Sequence, residues 1–241
     1  MHSQRDSDKD SCTITTSVKV QAVASRKDRY MKAEDLKVYA ITDRYWLNGA
    51  KLADQVESVL QNGATFLQLR EKEFSHEEMV AEAKEIKEIA EKYHVPFVIN
   101  DDIYAAKEID ADGVHIGQSD MEFKKAREIL GKDKIIGLSA GNLEEAIQAE
   151  KLGADYIGVG AVFHTDTKED ATALTFEELK EITSTVNIPV VAIGGINKDN
   201  IMQLQGTGID GVSVISAIFG QPDPGKATKE LVEITTKMLQ K

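Results

Sequence analysis

The sequence contains a single cysteine and no secretory segment. Cys12 is the only cysteine among 241 residues, which excludes a disulfide within the chain and any metal site built from several cysteines. A chain without disulfides suits a reducing compartment. The first residues are polar and charged, with no apolar secretory stretch, so we expect a cytoplasmic location.

Long apolar runs and excess positive charge are also missing. The richest apolar run, residues 189–193, is far shorter than the roughly 20 residues that a membrane-spanning helix needs. The formal net charge of −12 argues against a surface for nucleic acid or anionic membranes, so we expect the important basic groups to be concentrated in a pocket. At 41% hydrophobic, the chain can bury one large core, and its length suits one barrel as well as two small domains.

Residues 1–35 lack the pattern of the remainder of the chain. They mix polar and charged residues, and only residues 13–20 could pair as a strand. We predict that residues 1–35 form a disordered N-terminal extension and that residues 36–241 form one folded domain. Met31, which lies just before the first strand-like run, is a candidate for the true start of the protein.

From Lys37 onward, short apolar or β-branched runs alternate with longer amphipathic segments. Segments such as residues 52–60 and 79–89 repeat their apolar residues three and four positions apart, which predicts helices. Nearly continuous apolar strands are typical of a parallel sheet covered by helices on both faces. Eight such strands in this length predict a single closed (β/α)₈ TIM barrel, with only a short helix between the third and fourth strands. The runs are residues 38–42, 66–70, 96–100, 113–117, 135–139, 156–160, 190–194 and 211–216.

Polar side chains follow the ends of these runs. In (β/α)₈ barrels the carboxyl ends of the strands form the face that carries the chemistry, so we expect these side chains to converge there. A purely structural barrel would not need an amide, carboxylates, three cations and several hydroxyls on one face. In strand order, the candidates are Gln68, Arg70 and Lys72, then Asn100 and Asp101, Asp120, Ser139, the trio Thr165, Thr167 and Lys168, then Gly195, and last Ile215 and Ser216.

Two groups of loops have the composition of phosphate sites. In residues 158–168 an apolar run gives way to two threonine hydroxyls and a lysine, groups that suit a phosphorylated anion. Gly194 and Gly195 follow the seventh run, and the loops after the seventh and eighth strands are the usual phosphate site of this fold. The alternative is that both are ordinary turn glycines.

Other interpretations of the charged groups remain open at this stage. Residues 70–72 could form a surface ion-pair cluster that contributes little to stability. Asp101 and Asp120 could cap the helices that follow them, or they could form an open oxygen-ligand site for Mg²⁺ bound together with a phosphate. His115 lies within a buried strand, where we expect a satisfied core histidine rather than a catalyst.

Taken in order, these motifs resemble the thiamine phosphate synthase family. The resemblance runs from about Lys37 to the C-terminus, and the ordered set is far more specific than any single motif. The motifs are residues 39–43, 68–72, 100–101, 112–118 with Asp120, 137–140, 165–168 and 193–196.

The resemblance implies a transferase that joins hydroxymethylpyrimidine diphosphate to a thiazole phosphate, or to its carboxylated form, and releases thiamine phosphate and diphosphate. It also implies Mg²⁺ held by Asp101 and Asp120. The implied contacts of the pyrimidine diphosphate are Gln68, Leu69, Arg70, Glu71, Lys72, Asn100, Ser139 and Lys168, and the implied catalytic residues are Arg70, Lys72, Ser139 and Lys168. The implied contacts of the thiazole phosphate are Thr165, Thr167, Gly195, Ile215 and Ser216.

The sequence departs from the family pattern at three positions. The family usually has proline where Ala161 and His164 stand, and histidine where Gly141 stands, changes that affect loop rigidity more than reaction type. Two other functions remain open. A thiazole tautomerase, or a regulator descended from it, would be expected to lack the metal carboxylates and the diphosphate cations. A sugar-phosphate epimerase or isomerase could use Asp101 and Asp120 as its acid–base pair. The sequence is compatible with a homo-oligomer.

Overall fold

The computed structural model describes residues 31–47, 49–118, 120–164 and 174–240, without the side chains of Asp120 and Met121. Most of the predicted N-terminal extension, residues 1–30 with Cys12, lies outside the described residues. None of the helices in the described ranges is long and apolar enough to cross a membrane.

Eight parallel strands close into a barrel in which each strand pairs with its neighbours in the chain and the last pairs with the first. The predicted (β/α)₈ barrel is therefore confirmed. Each predicted run overlaps one strand, and the ends differ by at most two residues. The strands are β1 (Val38–Ile41), β2 (Phe66–Leu69), β3 (Phe97–Asn100), β4 (Gly113–Ile116), β5 (Ile135–Ala140), β6 (Tyr156–Val159), β7 (Val190–Ile193) and β8 (Gly211–Val214).

Within the described residues, an α-helix follows every strand except β7. A 3-10 helix, Ile201–Leu204, takes the place after β7. The short helix predicted between the third and fourth strands is confirmed as α3. The helices are α1 (Leu52–Gln61), α2 (His76–Tyr93), α3 (Ile103–Glu108), α4 (Asp120–Leu130), α5 (Leu143–Leu152), α6 (Phe176–Thr185) and α7 (Pro224–Met238).

The pleat of the strands separates an outer core from an inner one. On β2, Leu67 and Leu69 pack in the core between strands and helices, while Phe66 and Gln68 face the barrel interior. When the pairing of residues is followed from strand to strand once around the barrel, it comes back to β2 about eight residues closer to the N-terminus. This offset is the shear, and a shear of about eight is typical of TIM barrels. Alternate strands therefore contribute one residue each to stacked interior layers.

Small residues in these layers make room for large ones. A Cβ atom on Gly137 would lie 2.1 Å from the Tyr156 ring, so this position must stay a glycine. The third layer from the bottom is polar, although branched apolar residues usually fill such barrels. From the bottom upward, the layers are Phe66, Gly113, Tyr156 and Gly211; Tyr39, Val98, Gly137 and Val191; Gln68, His115, Gly158 and Ser213; and Ile41, Asn100, Ser139 and Ile193.

The bottom of the barrel is closed by the chain that leads into β1. Leu36 is completely buried in an interior cluster that includes Tyr39 and Phe66, and Met31 packs against the same cluster. A Cβ atom on Gly211 would lie 1.9 Å from the Leu36 carbonyl oxygen, so the segment fits closely against β8. Met31, although predicted as part of the extension, therefore takes part in the barrel.

We expect a protein that starts at Met31 to unfold at the same temperature as the full chain and to keep its activity, because residues 1–30 contribute no strand-end polar group. A protein that starts at Lys37 is the matched control. It lacks Leu36, and losing one fully buried leucine typically costs about 2–5 kcal/mol of stability. Thermal unfolding and an activity assay check both proteins. A large loss on removal of residues 1–30 alone would contradict the prediction.

Candidate active site

A cavity of about 390 Å³ opens at the carboxyl ends of the strands. The third and fourth interior layers line it, together with residues that follow the strands. Its volume is in the range of small-molecule sites. The predicted site residues that line it are Gln68, Arg70, Asn100, Ser139, Gly195, Ile215 and Ser216.

Three predicted contacts around β2 do not line the cavity. Leu69 is fully buried between strands and helices because it alternates with the inward-facing Gln68. The Glu71 carboxylate lies 3.3 Å from Nε of Arg44, and its side chain is only 6% exposed. Burial raises the pKa of Glu71 in spite of the neighbouring Arg44 charge. Glu71 forms its ion pair with Arg44 and not with its sequence neighbours. Lys72 is exposed.

Part of the predicted site lies outside the described residues. Thr165, Thr167 and Lys168 belong to the loop between β6 and α6, and their contacts stay predictions. Asp120 is the first residue of α4, but its side chain is not described.

Asp101 follows β3 in a backbone conformation that residues other than glycine rarely adopt, with a φ angle of 61°. Its amide donates to the His115 carbonyl over 2.9 Å, and the Asn100 side-chain amide donates to its carboxylate over 2.6 Å. The cap of α3 is Asp102, whose carboxylate accepts from the Ala105 amide over 2.8 Å. The interpretation of Asp101 as a helix cap is therefore wrong, and its side chain stays exposed beside the cavity.

The donors at this edge fit a hard cation such as Mg²⁺. Asp101 follows β3, and Asp120 begins the helix that follows the neighbouring strand β4. The described residues contain no group of three or more His, Cys, Asp and Glu side chains that could hold a metal. Mg²⁺ typically takes one or two carboxylates and completes its shell with water and substrate phosphates. The carboxylates of Asp101 and Asp120, without a third protein ligand, would be compatible with this type of coordination.

The glycine turn after β7 packs against the loop that follows β6. Gly194 and Gly195 have φ angles of 101° and 65°, which glycine adopts without strain. A Cβ atom on Gly195 would lie 2.4 Å from the His164 carbonyl oxygen, so no side chain fits there. The Asn200 side-chain amide holds the turn by donating to the Gly195 carbonyl over 2.8 Å. The glycines are required by this turn, and the turn lines the cavity.

Backbone amides of two neighbouring turns are available at the cavity. Within the described chain, the amides of Gly195, Ile196 and Ser216 have no hydrogen-bond partner. All three residues line the cavity. Unpaired backbone amides in adjacent turns are typical anion-binding groups. This arrangement fits a phosphate on the β7 and β8 side of the cavity.

A chain of hydrogen bonds rises from the buried interior to Ser139. The Gln68 side-chain amide donates to the Tyr39 hydroxyl over 2.5 Å, and the hydroxyls of Tyr39 and Tyr156 are 2.8 Å apart. Nδ1 of His115 lies 2.9 Å from the Tyr156 hydroxyl, and Nε2 lies 3.1 Å from the Ser139 hydroxyl. Burial raises the pKa of both tyrosines, so both keep their protons at neutral pH.

We propose a direction for this chain that starts from Gln68 as the first donor. Each tyrosine has one proton to donate, and if Tyr39 accepts from Gln68, its own proton would go to Tyr156. In this direction Tyr156 would donate to Nδ1 of His115, and the imidazole would carry a proton on Nε2. His115 would donate that proton to Ser139, whose own hydroxyl proton would then be free to donate to a ligand in the cavity.

In Tyr156→Phe we expect His115 to lose the hydrogen bond that selects its tautomer, so that both neutral tautomers become populated. Because one hydrogen bond of the chain is lost, we expect turnover to fall about tenfold, with a smaller change in KM. Tyr39→Phe is the matched control, since Tyr156 still donates to His115. ¹⁵N NMR spectra of the imidazole, recorded together with steady-state rates, distinguish the two variants. A changed tautomer in Tyr39→Phe, or an unchanged one in Tyr156→Phe, would contradict this direction.

Sequence reasoning missed Tyr39, His115 and Ser213 as cavity residues. The prediction for His115 is partly confirmed, because the side chain is 9% exposed and hydrogen-bonded at both ring nitrogens. It also lines the cavity, which was not predicted. The alternation of side chains along a strand was the available signal. His115 lies two residues before Gly117, which follows β4, and Ser213 lies two residues before Ile215, which follows β8, and all four line the cavity.

These features define a class of protein. A closed parallel barrel carries a pocket at the carboxyl ends of its strands, with an arginine, a neighbouring carboxylate and turn amides that suit phosphate. These features are typical of a barrel enzyme that acts on phosphorylated small molecules.

Comparisons with known proteins agree with this class and narrow it. A family model described as thiamine monophosphate synthase matches residues 38–218. The thiamine-phosphate synthase of Clostridium novyi is 53% identical over 199 residues, covering 82% of this chain and 98% of that protein. The thiamine-phosphate synthase of Clostridium botulinum strain Eklund 17B is 48% identical over 204 residues, covering 85% and 96%. A solved thiamine phosphate pyrophosphorylase from Pyrococcus furiosus is similar with a TM-score of 0.80 at 43% identity, covering 86% of this chain and 99% of that one.

The chain therefore belongs to the thiamine monophosphate synthase family. It is a transferase of thiamine biosynthesis. The resemblance carried by its sequence motifs is confirmed.

Proposed function

We propose that the protein condenses 4-amino-2-methyl-5-hydroxymethylpyrimidine diphosphate with 4-methyl-5-(2-phosphooxyethyl)thiazole, or with its carboxylated form, to give thiamine phosphate and diphosphate. One observation supports this most: two separate sets of hydrogen-bond donors, each of a kind that could bind an anion, line one cavity. Two phosphorylated substrates would need two such subsites. The first set is Arg70 and Ser139, with Gln68 on the floor beneath them, and the second is the turn amides of Gly195 and Ser216.

The proposed reaction is a substitution at the methylene carbon of the pyrimidine. The bond from this carbon to the diphosphate oxygen breaks, and both bonding electrons leave with the diphosphate. The amino group of the ring stabilises the remaining pyrimidine cation, and the lone pair of the thiazole nitrogen forms the new carbon–nitrogen bond. No protein nucleophile is needed, so the enzyme acts by positioning and charge stabilisation.

Arg70 would offset the charge that grows on the leaving diphosphate, and we propose the same role for Lys72 and Lys168. The backbone of Arg70 is fixed at the cavity, because its amide donates to the hydroxyl of the buried Thr42 over 3.0 Å. The fixed backbone keeps the Arg70 side chain at the cavity, and this supports its proposed role beside the leaving diphosphate.

Ser139 would donate a hydrogen bond to the diphosphate. Its proton would be free for this in the proposed direction of the chain, in which His115 donates to the Ser139 oxygen from Nε2. The same direction argues against a nucleophilic serine, since a base that accepts the Ser139 proton would be required.

The remaining predicted substrate contacts would involve backbone groups at some residues and side chains at others. The side chains of Leu69 and Glu71 pack elsewhere, so these residues would contribute only backbone groups to the pyrimidine diphosphate site. Asn100 lines the cavity and would contact the same substrate. For the thiazole phosphate, we propose Thr165, Thr167 and Ile215 in addition to the turn amides.

We propose Mg²⁺ as the cofactor, with Asp101 and Asp120 as its protein ligands. When bound, the ion would neutralise part of the diphosphate charge. Asn100 orients the Asp101 carboxylate through its side-chain amide. A cytoplasmic location and the absence of a nucleic-acid or membrane partner are also proposals, supported by the single cysteine and the net charge of −12. A homo-oligomer stays a prediction.

Three incubations distinguish this function from its rivals. With both substrates and Mg²⁺, we expect thiamine phosphate and diphosphate in equal amounts. With the carboxylated thiazole phosphate alone, a tautomerase would isomerise the ring, whereas this protein should leave it unchanged. With a pentose phosphate alone, an epimerase or isomerase would form a second sugar. Product in a single-substrate incubation, without any in the first, would contradict the proposal.

A further inference from the structure

The floor of the cavity is polar where barrels of this type are usually apolar. Gln68, His115, Gly158 and Ser213 form the third interior layer, and all four line the cavity. Branched apolar side chains usually fill the interior of such barrels. A buried polar side chain destabilises the fold unless it finds a hydrogen-bond partner.

The polar side chains of this layer differ in their partners. Gln68 donates to Tyr39, and His115 is hydrogen-bonded at both ring nitrogens. Ser213 is only 2% exposed, and its hydroxyl oxygen has no hydrogen-bond partner among the described residues. Buried hydroxyls are nearly always paired in folded proteins. The Ser213 hydroxyl on the cavity floor is therefore available to pair with a polar group of a ligand.

The shape of the floor fits a flat ring. Gly158 has no side chain, and even a Cβ atom there would lie 3.4 Å from the His115 ring, so the glycine leaves space beside the imidazole. Ile41 and Ile193, one layer higher, add apolar walls. Arg70 lies beyond the end of β2, above the floor. A substrate whose phosphates are held at the strand ends would place its ring on this floor.

We propose that Ser213 is a specificity-determining residue that hydrogen-bonds the polar edge of the aminopyrimidine ring. This inference rests on the proposed function, which supplies the ring. An aminopyrimidine has an N–H donor and ring-nitrogen acceptors, and a serine hydroxyl can pair with either. The thiazole ring has no N–H donor, and its nitrogen must stay free to attack the pyrimidine carbon. The pyrimidine is therefore the better partner for Ser213.

Calorimetric titration of Ser213→Ala with the pyrimidine diphosphate, without thiazole phosphate, tests this proposal. Loss of one hydrogen bond should weaken binding about fivefold to tenfold. Inorganic diphosphate is the matched ligand without a ring, and Ser213→Ala should bind it as tightly as the wild type does. Unchanged affinity for the pyrimidine diphosphate, or an equal loss for both ligands, would overturn the proposal. If the wild type bound inorganic diphosphate but not the pyrimidine diphosphate, the proposed function would fail and this inference with it.

Thr235 supplies a matched control in the protein. Its hydroxyl, on α7, is also buried and unpaired within the described residues, but Thr235 does not line the cavity. Thr235→Val should leave the affinity for both ligands unchanged. Neither substitution removes a hydrogen bond made among the described residues, so each unfolding temperature should stay within about 4 °C of the wild type. A larger fall in Ser213→Ala would show a partner within the protein and overturn the proposal.

Discussion

Replacing Arg70 by alanine should lower turnover by about a hundredfold or more and weaken binding of the pyrimidine diphosphate less. Among the described residues that line the cavity, Arg70 is the one arginine or lysine. A preorganised group aimed at developing charge typically contributes a factor of about 100–1000 to turnover. The diphosphate gains charge as its bond to carbon breaks, so the loss of Arg70 affects the rate more than the ground state.

Lys198→Ala is the matched control, because it removes a positive charge near the strand ends without altering the cavity lining. Lys198 follows β7, is exposed and lies 3.7 Å from the Glu230 carboxylate. Its loss should leave turnover within about twofold of the wild type. Arg70→Lys should recover part of the rate, since lysine keeps the charge but lacks the planar donors. Full activity in Arg70→Ala, or an equal loss in Lys198→Ala, would contradict the role of Arg70.

Removal of Mg²⁺ with a chelator should lower turnover by about a thousandfold, because a metal ion contributes several kcal/mol of charge stabilisation. Asp101→Asn should raise the Mg²⁺ concentration needed for half-maximal rate by about tenfold or more, since a neutral amide replaces a charged ligand. Asparagine suits this position because it tolerates the left-handed backbone of Asp101 better than alanine would.

Asp102→Ala separates a metal role from a structural one. Asp102 is the next carboxylate in the chain, but it caps α3. Its loss should cost about 1 kcal/mol of stability and leave the Mg²⁺ dependence unchanged. Rates measured against Mg²⁺ concentration, together with thermal unfolding, check both variants. Equal rates in chelator and in Mg²⁺, or the same shift in both variants, would contradict the assignment of Asp101.

The sequence was sufficient to predict the barrel and the face that carries the cavity. Eight apolar runs alternate with amphipathic segments, and these local periodicities correspond to β1–β8 and to the helices between them. Gln68, Arg70 and Asn100 could be placed on one face because parallel strands end at the same edge. Short-range patterning within strands and helices accounts for this part of the prediction.

Contacts between distant parts of the chain account for what the sequence could not show. Glu71 pairs with Arg44, which requires the loops after β1 and β2 to lie side by side. Whether Asp101 or Asp102 caps α3 depends on the backbone conformation of one residue. The polar floor with Ser213 follows from the shear of the closed barrel, because the shear decides which residues share a layer.

The three departures from the family pattern occur in loops that keep specific contacts. Ala161 is buried and lines the cavity. The Gly141 amide donates to the Glu145 carboxylate over 2.6 Å, which gives the loop after β5 a fixed end. The His164 carbonyl packs against the glycine turn after β7.

The central claim is that one cavity joins two phosphorylated substrates. Phosphorus NMR of the purified protein with both substrates and Mg²⁺ tests it most directly, because both products are counted in one sample. The account predicts one thiamine phosphate for each diphosphate released, and much slower release when the thiazole phosphate is omitted. Diphosphate released equally fast in both samples, with no thiamine phosphate formed, would contradict the account and indicate a diphosphate-ester hydrolase instead.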